Sequence, residues 1–169
     1  MLPAVLAVAG PVPVVAAGGI ARAEEIAACL KHGAQAVMMG TRFVATAESL
    51  AHDAYKQALA AGGRDTSLTI CFDLTWPFAL HRVLRNSTLE AWEAAGHPAA
   101  PDRPGEGDVL FHQNGTPVPR YSDEPPDREA LGDVRAGCLY AGNGVQYIDK
   151  VEPVGVLIAR LWAETQRML

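Results

Sequence analysis

The sequence predicts an α/β fold, the C-terminal portion of a TIM (β/α)8 barrel with an inserted small, mainly helical domain. Two short segments with glycines, Ala16-Ala17-Gly18-Gly19-Ile20 and Met39-Gly40-Thr41-Arg42-Phe43, predict it. Each segment ends an apolar run and precedes a stretch with helical periodicity. Two such strand-to-helix turns on neighbouring parallel strands form a phosphate site, as they do after the last two strands of such a barrel.

The apolar runs define the first elements. Residues 2–9 read as the last turns of a helix that ends at Gly10-Pro11. Val12 to Ala17 and Ala36 to Met39 are short apolar runs typical of strands buried on both faces.

Helical signals follow each of these strands. Glu24 and Glu25 lie in the first turn of a predicted helix, where negative charge is favourable, and Gly33 is placed to end it. A further helix is predicted over roughly 47–61, ended by Gly62-Gly63. Strand, turn and helix therefore occur twice in succession, as expected for a parallel sheet.

The alternation stops after this point. We predict a strand over 67–72, a helix near 79–95, an irregular segment over 96–127 and a C-terminal helix over about 153–168. The predicted organisation is 1–63 for the last βα units of the barrel, 64–135 for the inserted domain, and 136–169 for a return loop and the C-terminal helix.

Composition excludes several classes of function. Charged residues make up 20% of the chain and apolar residues 49%, which is typical of a globular protein, and the net charge of -5 provides no basic surface for nucleic acid or anionic lipid. No uninterrupted apolar run is long enough to span a bilayer. Cys29, Cys71 and Cys138 are widely spaced without a metal-ligand pattern, so we expect reduced thiols in a cytoplasmic protein that holds no metal.

Five segments together resemble one family. They are VPVVAAGGIA (12–21), GAQAVMMGTRF (33–43), HDAYK (52–56), HRVLRN (81–86) and YAGNGV (140–145). They are similar to the nitronate monooxygenase, or 2-nitropropane dioxygenase, family of FMN-dependent barrels. The resemblance covers most of this chain but only the C-terminal half of a typical member.

The resemblance implies a set of site residues. Gly18, Gly19, Gly40 and Thr41 would hold the FMN phosphate through backbone N–H groups, with the Thr41 hydroxyl as an additional donor. Tyr140, Gly142 and Asn143 would return towards the flavin and the substrate, while residues 64–135 would correspond to the family's smaller helical substrate domain. The implied reaction is oxidation of alkyl nitronates by O2.

The resemblance also implies what the chain lacks. The catalytic base of the family lies upstream of the matching region, so no catalytic residue is assigned here. A complementing chain that carries the missing barrel strands is therefore expected as a partner. Two departures from the family pattern are Asn143, where glutamine is more common, and Arg22-Ala23, which leaves the following helix without an obvious side-chain N-cap.

Alternative interpretations stay open at this stage. One alternative is that the glycines merely end strands and start tight turns. Arg42 is compatible with neutralising a phosphate or with forming a surface salt bridge. Cys138 could be a thiol near the flavin or a small buried apolar residue. For the whole chain, the alternatives are an FMN-dependent enoyl reductase of fatty-acid synthesis and a non-catalytic truncated remnant or split-barrel half.

Overall fold

The computed structural model describes residues 1–61 and 65–169, so the predicted helix end at Gly62-Gly63 lies outside the described residues. The helices are α1 (Leu2–Ala9), α2 (Ala23–Lys31), α3 (Thr41–Val44), α4 (Asp53–Ala60), α5 (Ser87–Ala94) and α6 (Val154–Gln166), with two 3-10 helices at Val134–Ala136 and Asn143–Tyr147. The strands are β1 (Val15–Ala17), β2 (Ala36–Met38), β3 (Thr66–Thr69), β4 (His81–Leu84), β5 (Val109–Gln113), β6 (Thr116–Pro119) and β7 (Leu131–Gly132).

The first part of the chain contains the predicted parallel strands. β1 and β2 pair in parallel, with Val15 opposite Ala36 and Ala17 opposite Met38. The prediction that both faces of these strands are buried was wrong for the described structure. Val15 is 55% exposed and Met38 62% exposed, because one face of this two-stranded sheet has no layer packed on it.

Helices α2 and α6 pack together beside the two strands. Ile26 of α2 and Leu157 and Leu161 of α6 form a buried apolar cluster, against which Val37 of β2 packs. Leu157 is completely buried, whereas its neighbour Ile158 is half exposed. The C-terminal helix therefore supports the α2 side of the parallel strand pair.

The prediction of a mainly helical insertion over 64–135 was wrong. The described part of this region contains five strands and a single α-helix, α5. β3 and β4 form an antiparallel pair, and β6, β5 and β7 form an antiparallel sheet in that order. The segment predicted as one helix near 79–95 is divided at Asn86, whose side chain accepts a hydrogen bond from the Leu89 N–H at 3.2 Å and caps α5.

A two-residue hairpin turn explains the second error in this region. Residues 96–127 were predicted to be irregular, but β5 and β6 pair across Asn114-Gly115. Both turn residues have positive φ, 53° and 78°. Asn-Gly is the strongest short hairpin signal, because it tolerates this left-handed conformation.

The predicted helix over 47–61 is shorter than expected. The described helix α4 begins at Asp53, and a separate helical turn, α3, precedes it at Thr41–Val44. His52 ends the irregular segment between them, because its ring Nδ1 accepts a hydrogen bond from the Ala54 N–H at 3.0 Å. This side-chain cap fixes the start of α4.

Within residues 1–61 and 65–169, no helix combines the length and apolar character needed to cross a membrane. The same residues contain no cluster of three or more His, Cys, Asp or Glu side chains suited to a metal ion. Cys29, Cys71 and Cys138 form no disulfide within the described residues.

The packing of α6 yields a stability prediction. Leu157→Ala should lower the free energy of unfolding by about 2–5 kcal/mol, because it opens a cavity in the cluster shared with α2. Ile158→Ala, one residue along the same helix, is the matched control and should change it by only about 0.5 kcal/mol, as is usual at exposed positions. Urea denaturation followed by circular dichroism measures both, and equal losses would contradict the assignment of the buried face.

Candidate anion-binding site

The register of β1 and β2 brings the two glycine turns together. Parallel strands end at the same edge of a sheet, and Ala17 lies opposite Met38, so both turns leave the sheet side by side. Together they line a cavity of about 200 Å³, called the glycine cavity below. Its lining residues are Gly18, Gly19, Ile20, Ala21, Met38, Met39, Gly40, Thr41, Arg42, Gly142 and Gly144.

The first turn requires glycine for its backbone conformation. Gly18 and Gly19 have φ values of 95° and 74°, in the left-handed region that side chains disfavour. Within the described residues, no hydrogen bond occupies the backbone N–H of Gly18 or Gly19. These two donors are therefore available to a ligand in the glycine cavity.

Helix α2, which follows this turn, is capped at its N-terminus by one of its own side chains, Glu25. The Glu25 carboxylate accepts hydrogen bonds from the backbone N–H groups of Ala21 and Arg22, at 2.7 and 3.1 Å. The guanidinium of Arg22 also contacts Glu25, with Nη2 at 3.1 Å from Oε1. The missing N-cap noted in the sequence is thus replaced by Glu25, and the donors it uses are not available to an anion.

The second turn provides backbone donors and a hydroxyl. Within the described residues, the N–H groups of Gly40 and Thr41 have no hydrogen-bond partner. The Thr41 hydroxyl oxygen accepts a hydrogen bond from the Gly142 N–H at 2.9 Å, which leaves its own hydrogen free to donate. Because α3 has only four residues, these individual donors, rather than a long helix dipole, provide the attraction for an anion.

The return loop closes the glycine cavity on its third side. Gly142 contacts Thr41 through the hydrogen bond just described, and Gly144 packs directly against the first turn. A Cβ atom at position 144 would lie 2.7 Å from the Gly19 carbonyl oxygen and 2.8 Å from the Ala21 Cβ. Position 144 therefore has no room for a side chain.

Tyr140 and Asn143 are less closely associated with the glycine cavity than Gly142. The Tyr140 hydroxyl donates to the Asp123 carbonyl oxygen at 2.8 Å, its ring lies 5.3 Å from the His81 ring, and the residue does not line the glycine cavity. Asn143 is exposed at the start of its 3-10 helix. The substrate roles of these two residues therefore remain predictions.

Arg42 forms a buried ion pair, which differs from the surface salt bridge considered from sequence. Its guanidinium Nη2 lies 2.5 Å from Oε1 of Glu152, and both side chains are about 95% buried, at 4% and 5% exposure. Burial lowers the pKa of Arg42, and the Glu152 carboxylate opposes this effect. Sequence reasoning missed Glu152, because the two residues are 110 positions apart and no local pattern connects them.

Cys138, left open between two interpretations in the sequence, is fully buried. Burial raises the pKa of its thiol to about 12, so it remains protonated at neutral pH. The structure therefore favours the interpretation of Cys138 as a small buried residue. Burial also lowers the pKa of His81, a half-buried residue whose ring packs beside the Tyr140 ring.

A parallel pair of strands whose carboxyl ends both continue into glycine turns and helices is an arrangement that many α/β proteins use to bind phosphate groups. The model of one family, nitronate monooxygenase, matches residues 1–164. The chain belongs to the nitronate monooxygenase family, whose members are flavin-dependent oxidoreductases. This confirms the resemblance noted in the sequence.

Individual relatives agree with this family. The chain is 43% identical over 100 residues to the nitronate monooxygenase of Pseudomonas aeruginosa, covering 59% of this chain and 27% of that protein. It is 42% identical over 96 residues to the (3aS,4S,5R,7aS)-5-hydroxy-7a-methyl-1-oxo-octahydro-1H-indene-4-carboxyl-CoA dehydrogenase of Mycobacterium tuberculosis, covering 56% of this chain and 26% of that protein. The chain therefore spans about a quarter of the length of the curated relatives it matches.

Solved structures support the same α/β class. A nitroalkane oxidase from Streptomyces ansochromogenes matches with a TM-score of 0.70 and 33% identity, over 99% of this chain and 43% of that one. A FabK variant from Thermotoga maritima matches with a TM-score of 0.65 and 30% identity, over 94% of this chain and 43% of that one.

The close contact between Gly144 and the first turn predicts that a side chain at position 144 lowers the stability of the fold. Gly144→Ala should lower the free energy of unfolding by about 1–3 kcal/mol, because the added methyl group overlaps the Gly19 carbonyl. Gly142→Ala is the matched control, since a Cβ there meets its nearest neighbour, the Thr41 hydroxyl oxygen, at an ordinary 3.5 Å. Thermal denaturation of both variants measures the difference. Equal stability would contradict the close packing of Gly144.

Proposed function

We propose that the glycine cavity binds the phosphate group of FMN. The observation that carries this proposal is that the free N–H groups of Gly18, Gly19, Gly40 and Thr41 belong to residues that line a single cavity. Backbone donors in such turns bind phosphate oxygens without the need for a basic surface. The flavin chemistry of the family gives this anion its identity.

The size and charge of the glycine cavity fit the phosphate end of FMN. Its volume of about 200 Å³ is below the roughly 300–1,000 Å³ of pockets that enclose a whole small-molecule ligand. Among the described residues, Arg42 is the one charged residue in its lining, and no carboxylate of those residues lies there to repel an anion. A Cβ atom at Gly18 or Gly40 would have no atom of residues 1–61 or 65–169 within 4 Å beyond its chain neighbours, which is consistent with open space beside both glycines.

We infer that the whole protein oxidises alkyl nitronates with O2, in the manner the family name implies. Bound FMN would supply the redox chemistry. The described residues would hold the phosphate, and the Thr41 hydroxyl would join the phosphate site to the return loop. Tyr140, Gly142 and Asn143 are proposed to border the substrate, and no described residue is assigned as the catalytic base.

We further propose that β1 and β2 are two strands of a larger (β/α)8 barrel, with 64–135 inserted and 136–169 returning to it. Two parallel strands cannot close a barrel, and the exposed apolar side chains of Val15 and Met38 lie on a face that further barrel strands would cover. A complementing polypeptide would supply those strands and the catalytic base.

A second candidate function keeps FMN and changes the substrate. An FMN-dependent enoyl reductase of fatty-acid synthesis is favoured by the similarity to the FabK structures. The two activities differ in their reductant. Rapid reduction of the flavin by NADPH, without O2 consumption on addition of ethyl nitronate, would select the enoyl reductase. Nitronate-dependent O2 consumption without NADPH would select the monooxygenase.

A non-catalytic role as a remnant or split-barrel half predicts a different result. A truncated remnant would show neither activity, even when mixed with a polypeptide that completes the family length, whereas a split-barrel half would be inactive alone and active in that mixture. FMN binding by the chain would still report on the glycine cavity, because its donors come from the described residues.

The phosphate assignment is tested by Gly40→Val. The added side chain should enter open space beside the glycine cavity and weaken FMN binding at least about tenfold, equivalent to roughly 1.4 kcal/mol. Gly40 has a negative φ of -89°, so the substitution introduces no backbone strain. Quenching of flavin fluorescence by the purified chain measures the affinity.

Gly155→Val is the matched control for this experiment. Gly155 also has open space around it, but it lies exposed on α6 and does not line the glycine cavity. We expect its FMN affinity to equal that of the unmodified chain. Equal affinity of the Gly40→Val variant would refute the assignment of the second turn.

A further inference from the structure

Arg42 places a buried positive charge beside the glycine cavity. The residue is 4% exposed, and it lines both the glycine cavity and a neighbouring polar cleft of about 410 Å³ between α2, α6 and the segment after the second 3-10 helix. Away from bulk water, a charge acts on a nearby anion more strongly than it would at the surface. Any anion in the glycine cavity therefore experiences the charge of Arg42.

The carboxylate that pairs with Arg42 is shared with other cations. Oε1 of Glu152 accepts hydrogen bonds from Arg42 Nη2 at 2.5 Å and from Arg160 Nη2 at 2.6 Å. Lys150 Nζ lies 3.6 Å from the other oxygen of the same carboxylate. Glu164 and Asp149 add negative charge nearby, but the hydrogen-bonded ion pair of Arg42 rests on one oxygen atom that it shares with Arg160.

The guanidinium of Arg42 also has unused hydrogen-bonding capacity. Its Nε and Nη1 atoms are buried and have no hydrogen-bond partner within residues 1–61 and 65–169. Buried donors without a partner are costly, and charged ones especially so. The ion pair with Glu152 therefore leaves these two donor atoms of Arg42 unused.

We propose that Arg42 makes the glycine cavity selective for the dianionic form of a phosphate ester, because its buried guanidinium shares one carboxylate oxygen with Arg160 and keeps two donors without a partner in the described residues. The inference rests on the proposed phosphate site and adds the source of its charge selectivity. Arg42 acts here as a positioning residue for the anion, through the wall of the glycine cavity. The backbone donors of the two turns remain the direct ligands.

The ionisation of the ligand provides a readout that a purely structural role would not change. The second pKa of a phosphate monoester is about 6, so the group becomes a dianion above that pH. The charged groups around Arg42 are Glu152, Asp149 and Lys150 before α6, Arg160 and Glu164 on α6, and Arg22 and Glu24 at the start of α2. None of these is a histidine, so we expect the change of charge between about pH 5 and about pH 7.5 to come from the phosphate.

The experiment compares FMN with riboflavin, which lacks the phosphate, on the 169-residue chain and two variants. Fluorescence titrations at about pH 5 and about pH 7.5 give both affinities. Arg42→Gln should bind FMN about tenfold more weakly at the higher pH, equivalent to roughly 1.4 kcal/mol, with unchanged riboflavin affinity. It should also lose most of the increase in FMN affinity with pH.

Arg160→Gln is the matched control. Arg160 contacts the same Glu152 oxygen as Arg42 but is 38% exposed and does not line the glycine cavity. This variant should keep the preference for FMN over riboflavin and its pH dependence. A loss equal to that of Arg42→Gln would overturn the proposal in favour of a general role for the ion-pair group.

The remaining outcomes separate the hypothesis of a phosphate site from the hypothesis that Arg42 sets its charge selectivity. If the unmodified chain shows no preference for FMN over riboflavin, the phosphate site itself is wrong. If the chain prefers FMN but Arg42→Gln keeps that preference and its pH dependence, only the role of Arg42 is wrong.

If circular dichroism shows that Arg42→Gln is unfolded, the double variant Arg42→Gln, Glu152→Gln removes both charges of the pair and carries the same expectation. An FMN affinity of the unmodified chain that does not rise with pH would overturn the proposal without any variant.

Discussion

The parallel pairing of β1 with β2 is the constraint on which the candidate site depends. Because Ala17 lies opposite Met38, the two glycine turns leave the sheet at the same edge, and their backbone donors become neighbours. A shift of one residue in this register would place Gly18 opposite a different residue and turn each side chain to the other face. Three residues in each strand therefore determine the geometry of the whole cavity. The apolar packing of α2 and α6 beside β2 supports that register.

The first part of the fold could be predicted from sequence because its signals are local. The order of β1, α2 and β2 is correctly predicted by the apolar runs, by the acidic residues in the first turn of α2 and by Gly33 at its end. The predicted strands are somewhat longer than those in the structure. The insertion was predicted less well. Its strands are short and pair in antiparallel sheets, although the Asn114-Gly115 dipeptide between β5 and β6 is a local hairpin signal. The segment at His81–Leu84 becomes a strand because it pairs with Thr66–Thr69, a contact that no helical periodicity could indicate.

The candidate site shows the same division between local and distant information. The glycines of the two turns were predictable, since their residue type reflects a backbone requirement within a few positions. Local sequence signals could not predict the close contact of Gly144 with the first turn or the ion pair of Arg42 with Glu152. Both contacts join segments that are more than 100 residues apart. The family resemblance grouped Tyr140 with the site through the segment YAGNGV (140–145). In the structure its hydroxyl is directed to Asp123 instead.

The close contact between Gly144 and Gly19 has a consequence for the order of assembly. The cavity wall combines residues from the beginning of the chain with a loop near its end, a contact of very high sequence separation. During synthesis on the ribosome, the amino-terminal turns emerge long before the loop and the helix that enclose them. Under the proposed function, FMN would meet a closed cavity only after the loop that contains Gly144 has been synthesised. From then on its binding would stabilise the native state by mass action.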